Sequence, residues 1–259
     1  MHTRKKADTA STMPRDAWKK LPRLFVTAPL GGGHTVALDP AQHHYLTNVM
    51  RRDGGSDLLI FNGQDGEWRA TLTQIGKKAS AALCIEQTRP QQSEPDLRLL
   101  FAPIKRDHLD YMIQKASELG VAQFQPVITQ HTIASNLNLA RLHAIAREAA
   151  EQCERLTLPV LTDALPLAKA LATCAADRPL FACLEGGAAQ PLAQAFSAAP
   201  TTPAAILIGP EGGFSAAEMD LIRQHPTTIP VSLGPRILRA DTAALAALAI
   251  WQALRGDWR

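Results

Sequence analysis

The chain has 259 residues, of which 46% are apolar and 20% charged, and its formal net charge at pH 7 is +3. This length and apolar content indicate a globular protein with one large or two modest domains. No apolar run approaches the ~20 residues of a membrane-spanning helix, which argues against a membrane protein.

The four cysteines argue against a metal site. Cys84, Cys153, Cys174 and Cys183 show no C-x-x-C spacing and lie in apolar or helical stretches. In such stretches cysteine usually serves as a small hydrophobic residue. We therefore expect reduced thiols, no bound metal and a cytoplasmic protein.

Positive charge is concentrated at the start of the chain. The first twenty residues have a net charge of +4, which leaves −1 for the remainder. A basic start with Ser and Thr is compatible with a transit peptide, but no apolar stretch follows it, which argues against a secretory signal. We expect residues 1–22 to form a disordered tail.

Residues 23–90 carry mostly strand signals, separated by turns that contain Gly, Asn and Asp. One helix is predicted within PAQHHYLTNVMRR, where Pro40 suits the first turn. A small β-domain is therefore expected, and the polar segment 89–95 is predicted to link it to the rest. The predicted strands are RLFVT, DLLIF, EWRATLTQI and SAALCIEQT.

From residue 96 to 259, predicted strands alternate with predicted helices. Asp107 is expected to cap the first helix, which Gly120 ends, and a longer helix is expected from about Leu137 to Leu156. This alternation indicates a parallel sheet covered by helices on both faces. The predicted strands are LRLLFAP, FQPVIT, PVL, PLFACL, AAILI and TIPVSL.

Two successive strand-loop-helix units near the C terminus carry the chemistry. In the first, the loop GPEGGF precedes a helix for which Ser215 and Glu218 form a capping box. In the second, the loop GPRILR precedes an alanine-rich helix for which Asp241 is the predicted N-cap. Both loops follow strand ends of a parallel sheet, where ligands bind, so we expect one shared site.

The composition of these loops favours a flat heterocyclic ligand over a polyphosphate. Their glycines allow close approach of the backbone, and the second loop adds apolar and arginine side chains. Neither G-x-G-x-x-G nor G-K-[ST] is present, and Glu211 opposes a bound phosphate. A single glycine loop is usually a plain connection, but two adjacent loops of matching design favour a binding site.

Several segments resemble the bacterial 16S ribosomal RNA uracil-N3 methyltransferases, the RsmE family of the SPOUT superfamily. The resemblance runs from about Arg23 to Leu254. It is carried by HHYLTNVMRR, IQKASELGV, EAAEQCERLTLPV, ILIGPEGGFSAAE and LGPRILRADTAALAAL.

The resemblance implies the fold, the cofactor and the partners. It implies a PUA-like β-barrel at 23–90, followed at 96–259 by an α/β SPOUT domain whose mostly parallel sheet contains a trefoil knot. It also implies a homodimer that uses S-adenosylmethionine to methylate N3 of a uridine in the decoding region of 16S rRNA, with the small ribosomal subunit as partner. No membrane or DNA partner is expected. The implied cofactor contacts are Leu184, Gly209, Pro210, Glu211, Gly212, Leu233, Gly234, Ile237 and Leu238.

Catalysis requires a uracil whose N3 has lost its proton. Arg239 and Arg236 are predicted to stabilise the resulting anion, although a role in binding RNA phosphate or in capping a sheet edge is an open alternative. Glu211 is expected to shape its loop by accepting backbone N–H groups, with proton abstraction as the alternative. The predicted RNA contacts, each of which also fits an ordinary surface charge, are Arg23, Arg51, Arg52, Lys105, Arg106 and Arg155.

The chain departs from the family pattern at two positions. Asp241 stands where the family usually has Glu, and His131 stands where it often has Arg. An imidazole changes its charge near neutral pH, whereas a guanidinium is always charged.

Three other functions stay open from the sequence. A non-catalytic RNA-binding module would have no affinity for the cofactor. A phosphate-binding enzyme would take ATP or GTP at the helix starts. A related methyltransferase would act on another RNA or another base atom.

Overall fold

The computed structural model describes residues 18, 20–76, 79–133, 137–184, 189–198 and 203–258. The chain divides into two compact units, one up to Gln91 and one from Gln92. The predicted tail lies outside the described residues except for its last few positions. Among the described residues, no helix is both long and apolar enough to cross a membrane.

The first unit contains a five-stranded sheet of half-barrel form, with the strand order β1-β3-β4-β5-β2. All neighbouring strands are antiparallel except β1 and β3. The sequence predicted these strands apart from β2, which is too short to show an alternating pattern. The strands are β1 (Arg23–Phe25), β2 (Thr35–Ala37), β3 (Asp57–Phe61), β4 (Glu67–Gly76) and β5 (Ala79–Arg89).

The predicted helix of this unit is present but changes its winding. Helix α1 (Pro40–His44) begins with Pro40 in its first turn, and Asp39 and Gln42 form a capping box. A π-helical segment (Tyr45–Val49) continues it and buries Leu46 in the apolar core of the unit. The sequence pattern predicted a single helix here, because the spacing of apolar residues in so short a segment does not distinguish an α-helix from a π-helix.

The second unit is built on a sheet with the strand order β11-β13-β10-β12-β6-β7-β8, to which β9 adds by pairing with β7. Every strand pairing among the described residues of this sheet is parallel, as predicted. The last strand, β13, is inserted between two earlier strands. The strands are β6 (Leu97–Phe101), β7 (Gln123–Ile128), β8 (Val160–Leu161), β9 (Leu165–Pro166), β10 (Leu180–Cys183), β11 (Gln190–Pro191), β12 (Ala204–Ile208) and β13 (Thr228–Ser232).

Helices cover both faces of this sheet, as the alternating pattern predicted. One apolar cluster joins the sheet to α2, α3, α5 and α7, and a second joins the opposite face to α4 and α6. The helices are α2 (Arg106–Glu118), α3 (Leu139–Gln152), α4 (Leu167–Ala172), α5 (Leu192–Ala198), α6 (Ala216–Gln224) and α7 (Ala240–Leu254).

Two predicted helix caps are wrong and one helix end is confirmed. Helix α2 is capped by Lys105 without a side-chain hydrogen bond, and Asp107 lies in its first turn. Helix α7 is capped by Arg239, and Asp241 likewise lies in the first turn. Gly120 ends α2 with a φ of +78°, a conformation that glycine adopts without steric cost.

Candidate ligand site at the carboxyl edge of the parallel sheet

Leu184, which directly follows β10, and the loops after β12 and β13 lie at one edge of the sheet. Strand β10 is hydrogen-bonded to both β12 and β13, and all three strands are parallel. Their carboxyl ends therefore point the same way, and Leu184, which directly follows β10, lies between the two glycine loops. Leu184 is buried, so it can form only the floor of such a site.

The first loop, residues 209–214, has a tight and well-defined shape. The N–H of Gly213 donates to the carbonyl of Pro210 at 2.9 Å, and Gly213 has a φ of +69°. A Cβ atom on Gly209 would lie 2.8 Å from the ring of Phe214. Pro210 is buried while Glu211 and Gly212 are exposed, so the loop presents its carboxylate and its glycine backbone to solvent.

Glu218 holds this loop against the loop that follows β7. Its Oε2 accepts the N–H of Ser215 at 2.9 Å, and the hydroxyl of Ser215 accepts the N–H of Glu218 at 3.4 Å. This confirms the predicted capping box. The other oxygen, Oε1, accepts the N–H of Gln130 at 2.7 Å, a contact that the sequence did not indicate.

His131 lies directly on the first loop. Its Nδ1 is 3.1 Å from the carbonyl oxygen of Gly212 and 3.0 Å from that of Gly213. A Cβ on Gly212 would lie 3.2 Å from the Cβ of His131. The turn that carries His131 is closed by Thr132, whose hydroxyl accepts the N–H of Thr129 at 2.9 Å. The position of the His131 ring is therefore fixed by its contacts with the first loop and by the closed turn that carries it.

The second loop, residues 233–239, exposes most of its side chains. Gly234 has a φ of +105°, and its N–H donates to the hydroxyl of Ser232 at 3.2 Å. Ile237 is 85% exposed, which leaves a large apolar side chain uncovered at the site. The half-buried residues are Leu233 and Leu238, and the other exposed ones are Pro235, Arg236 and Arg239.

Asp241 is paired with a histidine instead of capping its helix. Its Oδ2 accepts a hydrogen bond from Nδ1 of His108 at 2.9 Å. Burial by itself would raise the pKa of Asp241, but the hydrogen bonds from His108 and from the N–H of Thr242 lower it below its ordinary value. The pair joins the first turns of α2 and α7.

Two of the predicted RNA contacts, Arg23 and Arg155, are buried in ion pairs. The Nε of Arg23 is 2.6 Å from Glu67, and its guanidinium lies 3.8 Å over the ring of Phe61. Arg155 pairs with Glu94 and donates to the carbonyls of residues 117 and 121 at 2.8 Å and 3.0 Å. Little of either side chain is accessible to a phosphate, since Arg23 is 9% and Arg155 is 8% exposed.

The other predicted RNA contacts are accessible. Arg51 is exposed with a φ of +53°, and Arg52 is half-buried beside it at the end of the π-helical segment. Lys105 and Arg106 are exposed at the start of α2. Helix starts and exposed basic side chains both favour contact with phosphate.

The cysteines and acidic residues offer no metal site within the described ranges. Cys84, Cys174 and Cys183 are free thiols, and no group of three or more potential ligands is present in these ranges. Burial raises the pKa of Cys183 to about 12, so this thiol stays protonated at neutral pH.

Comparison with known proteins gives matches over most of the chain. Residues 91–252 match the family described as "RNA methyltransferase domain", and residues 38–82 match "RNA methyltransferase PUA domain". The chain is 32% identical over 231 residues to ribosomal RNA small subunit methyltransferase E of Rickettsia conorii, covering 89% of this chain and 94% of that protein. It is 35% identical to the protein of the same name from Synechocystis sp., covering 85% and 73%.

A solved structure shows the same arrangement. The crystal structure of a ribosomal RNA small subunit methyltransferase E from Neisseria gonorrhoeae bound to S-adenosyl methionine is 30% identical to this chain. It aligns with a TM-score of 0.83, over 92% of this chain and 100% of the other.

Proposed function

The chain belongs to the ribosomal RNA small subunit methyltransferase E family, and from that membership we propose that it methylates N3 of a uridine in 16S rRNA. The methyl donor is S-adenosylmethionine, and the proposed partner is the small ribosomal subunit. The observation that carries the proposal is the pair of glycine loops at one sheet edge, with an exposed carboxylate and no lysine.

The side chains at this edge fit S-adenosylmethionine better than a nucleoside phosphate. The cofactor supplies a methyl group on a sulfonium cation and presents an adenine ring. Exposed Glu211 has the charge that suits a cation, and the open backbone of Gly212 and Gly234 allows hydrogen bonds to a planar ring. Leu233, Ile237 and Leu238 supply the apolar surface that an adenine ring requires. The more buried part of the site consists of Gly209, Pro210 and Leu184.

The exposed arginines of the second loop suit the charge that develops on the uracil. Removing the N3 proton spreads negative charge onto the two flanking carbonyl oxygens of the base. Arg239, at the start of α7, and Arg236 present donors that stabilise such an anion. Neither can accept the proton, because a guanidinium does not deprotonate in proteins.

Substitution of Arg239 tests this assignment. We expect Arg239→Ala to lower the methylation rate about 100-fold and Arg239→Lys to lower it less, with S-adenosylmethionine affinity unchanged in both. Full turnover in both variants contradicts the assignment.

RNA binding is assigned to Arg51, Arg52, Lys105 and Arg106. These side chains are the accessible members of the predicted set, and phosphate contacts by Lys and Arg dominate the affinity of most RNA-binding surfaces. Each contact that is lost should reduce the salt dependence of binding by about 0.7 to 0.9 units of slope.

A cytoplasmic homodimer is part of the proposal. The dimer is carried over from the family resemblance. Light scattering of the purified chain tests it, and a monomer at all concentrations contradicts it.

Calorimetry tests the ligand class of the site. We expect saturable binding of S-adenosylmethionine and no binding of ATP. Incubation of the protein with small subunits and methyl-labelled cofactor then tests the reaction, with label expected in 16S rRNA. Binding of ATP alone contradicts the proposal, and RNA binding without cofactor binding supports a non-catalytic module.

A further inference from the structure

Deprotonation of uracil N3 requires a group that accepts a proton, and the arginines of the second loop cannot do so. The described residues in or near the loops at this sheet edge include several proton acceptors, among them the Glu211 carboxylate and the rings of His131 and His108. The hydrogen bonds of the two histidines differ, and those of His131 fit the role better.

The hydrogen bonds of His131 determine which ring nitrogen carries a proton. Both partners of its Nδ1 are carbonyl oxygens, of Gly212 at 3.1 Å and Gly213 at 3.0 Å. A carbonyl oxygen only accepts, so Nδ1 must donate. In the neutral ring, Nε2 then holds the lone pair. Within the part of the chain that the structure describes, Nε2 has no hydrogen-bond partner, and the residue is exposed.

We propose that His131 is the general base of the reaction, a role that rests on the proposed function. The N3–H bond of the uracil breaks, its proton forms a bond with Nε2 of His131, and its electron pair stays on the base. That pair then forms the bond from N3 to the methyl carbon while the bond between that carbon and the sulfonium sulfur breaks, and the electrons of the broken bond stay on the sulfur, which becomes a neutral thioether. The imidazolium returns its proton to water after product release, so no further reactant is needed.

His131 lies in a turn that two neighbouring elements contact. The elements packed against its turn contribute two carboxylates, Glu211 in the first loop and Glu218 at the start of α6. Glu218 accepts the N–H of the adjacent Gln130 at 2.7 Å.

His108 fits the role less well, although its Nδ1 is also held. Its partner is Asp241 at 2.9 Å, and the pair lies between the first turns of α2 and α7. No hydrogen bond links His108 to either glycine loop among the described residues. The ring of His131, in contrast, contacts the first loop directly.

Two substitutions of His131 separate its role as a proton acceptor from its contact with the first loop. His131→Asn keeps an amide N–H that can donate to the glycine carbonyls but removes Nε2. His131→Ala removes both and leaves space for added imidazole. His143→Gln is the matched control, because His143 is an exposed histidine of α3 on the same unit.

Single-turnover methylation should be measured between about pH 5.5 and 9.5, the range in which imidazoles and then uracils lose protons. For His131→Asn we expect a loss of about 100-fold or more at pH 7, and the loss should shrink as the pH rises because solvent can then deprotonate N3. Imidazole should partly restore His131→Ala. His143→Gln should match the wild type throughout.

Two measurements do not depend on turnover. Long-range ¹H–¹⁵N spectra of the cofactor-free protein should show the Nδ1–H form of His131. Calorimetry should show the same S-adenosylmethionine affinity in His131→Asn and in the wild type. An Nε2–H form, a lost cofactor affinity in His131→Asn, or full activity of that variant at pH 7 overturns the inference. A wild type that transfers no methyl group to N3 overturns the proposed function instead.

Discussion

The carboxylate of Glu218 joins two loops of the site, since one oxygen closes the capping box with Ser215 and the other accepts the N–H of Gln130 at 2.7 Å. One side chain therefore sets both the start of α6 and the position of the turn that carries His131. A substitution of Glu218 therefore affects the start of α6 and the position of this turn together.

Removal of the Glu218 carboxylate should destabilise the protein and loosen the site. We expect Glu218→Ala to lower the free energy of unfolding by about 1–2 kcal/mol and to weaken cofactor binding. Asp220→Ala, an exposed change on the same helix, is the control. Urea unfolding and calorimetry check both effects, and equal behaviour of the two variants contradicts the role of Glu218.

A methyl group on Gly209 should disturb the first loop. Its Cβ would lie 2.8 Å from the ring of Phe214, so the ring or the loop must move. We expect Gly209→Ala to cost about 1–3 kcal/mol of stability and to weaken S-adenosylmethionine binding. Adding Phe214→Leu should restore part of the affinity. Gly32→Ala, where the nearest atom is 3.9 Å away, serves as control, and equal affinities in all variants contradict the prediction.

The hydrogen bonds of the Asp241 carboxylate should contribute to stability in a pH-dependent way. Its pKa is lowered in the folded chain by His108 and the N–H of Thr242 despite burial. The contribution is therefore present above the unfolded-state value of about 3.9 and is lost as the pH falls through the folded-state value. Urea unfolding should show Asp241→Asn less stable at pH 7, with the difference shrinking toward pH 3.

The exposed Asp107→Asn is the control for that series, because Asp107 lies in the first turn of the neighbouring helix. A difference between Asp241→Asn and the wild type that stays constant from pH 7 to pH 3 contradicts the prediction.

Substitution of Arg155 should reduce stability, whereas substitution of Arg106 should weaken RNA binding. Arg155→Ala removes the ion-pair partner of Glu94 and a donor to two backbone carbonyl groups, so we expect a loss on the order of 3 kcal/mol in unfolding free energy. Arg106→Ala should leave stability unchanged and weaken RNA binding with a smaller salt dependence. Unfolding curves and RNA titrations at several salt concentrations distinguish the two.

The arrangement of elements was predictable because it depends on local patterns. Alternation of apolar strands and amphipathic helices predicted the parallel sheet, and the spacing of Ser215 and Glu218 predicted their capping box. The short strands β2, β9 and β11 were missed, since two or three residues carry no periodic signal.

Contacts between distant segments were not predictable. Sequence spacing does not show that His131 meets Gly212, because the contact depends on how two strands are ordered in the sheet. It also does not show that Arg155 is buried, since a lone arginine after a helix resembles an ordinary surface charge. The sequence around Asp241 is typical of an N-cap. The N-cap of α7 is instead Arg239, two residues earlier, and the Asp241 carboxylate pairs with His108.

The position of the transferred methyl group tests the central claim most directly. Small subunits that lack the modification should be incubated with the protein and isotope-labelled S-adenosylmethionine, and the 16S rRNA digested to nucleosides for mass spectrometry. We predict labelled 3-methyluridine, together with a reverse-transcription stop at a single uridine because N3 methylation blocks base pairing. Label in any other nucleoside, or in no nucleoside at all, contradicts the account.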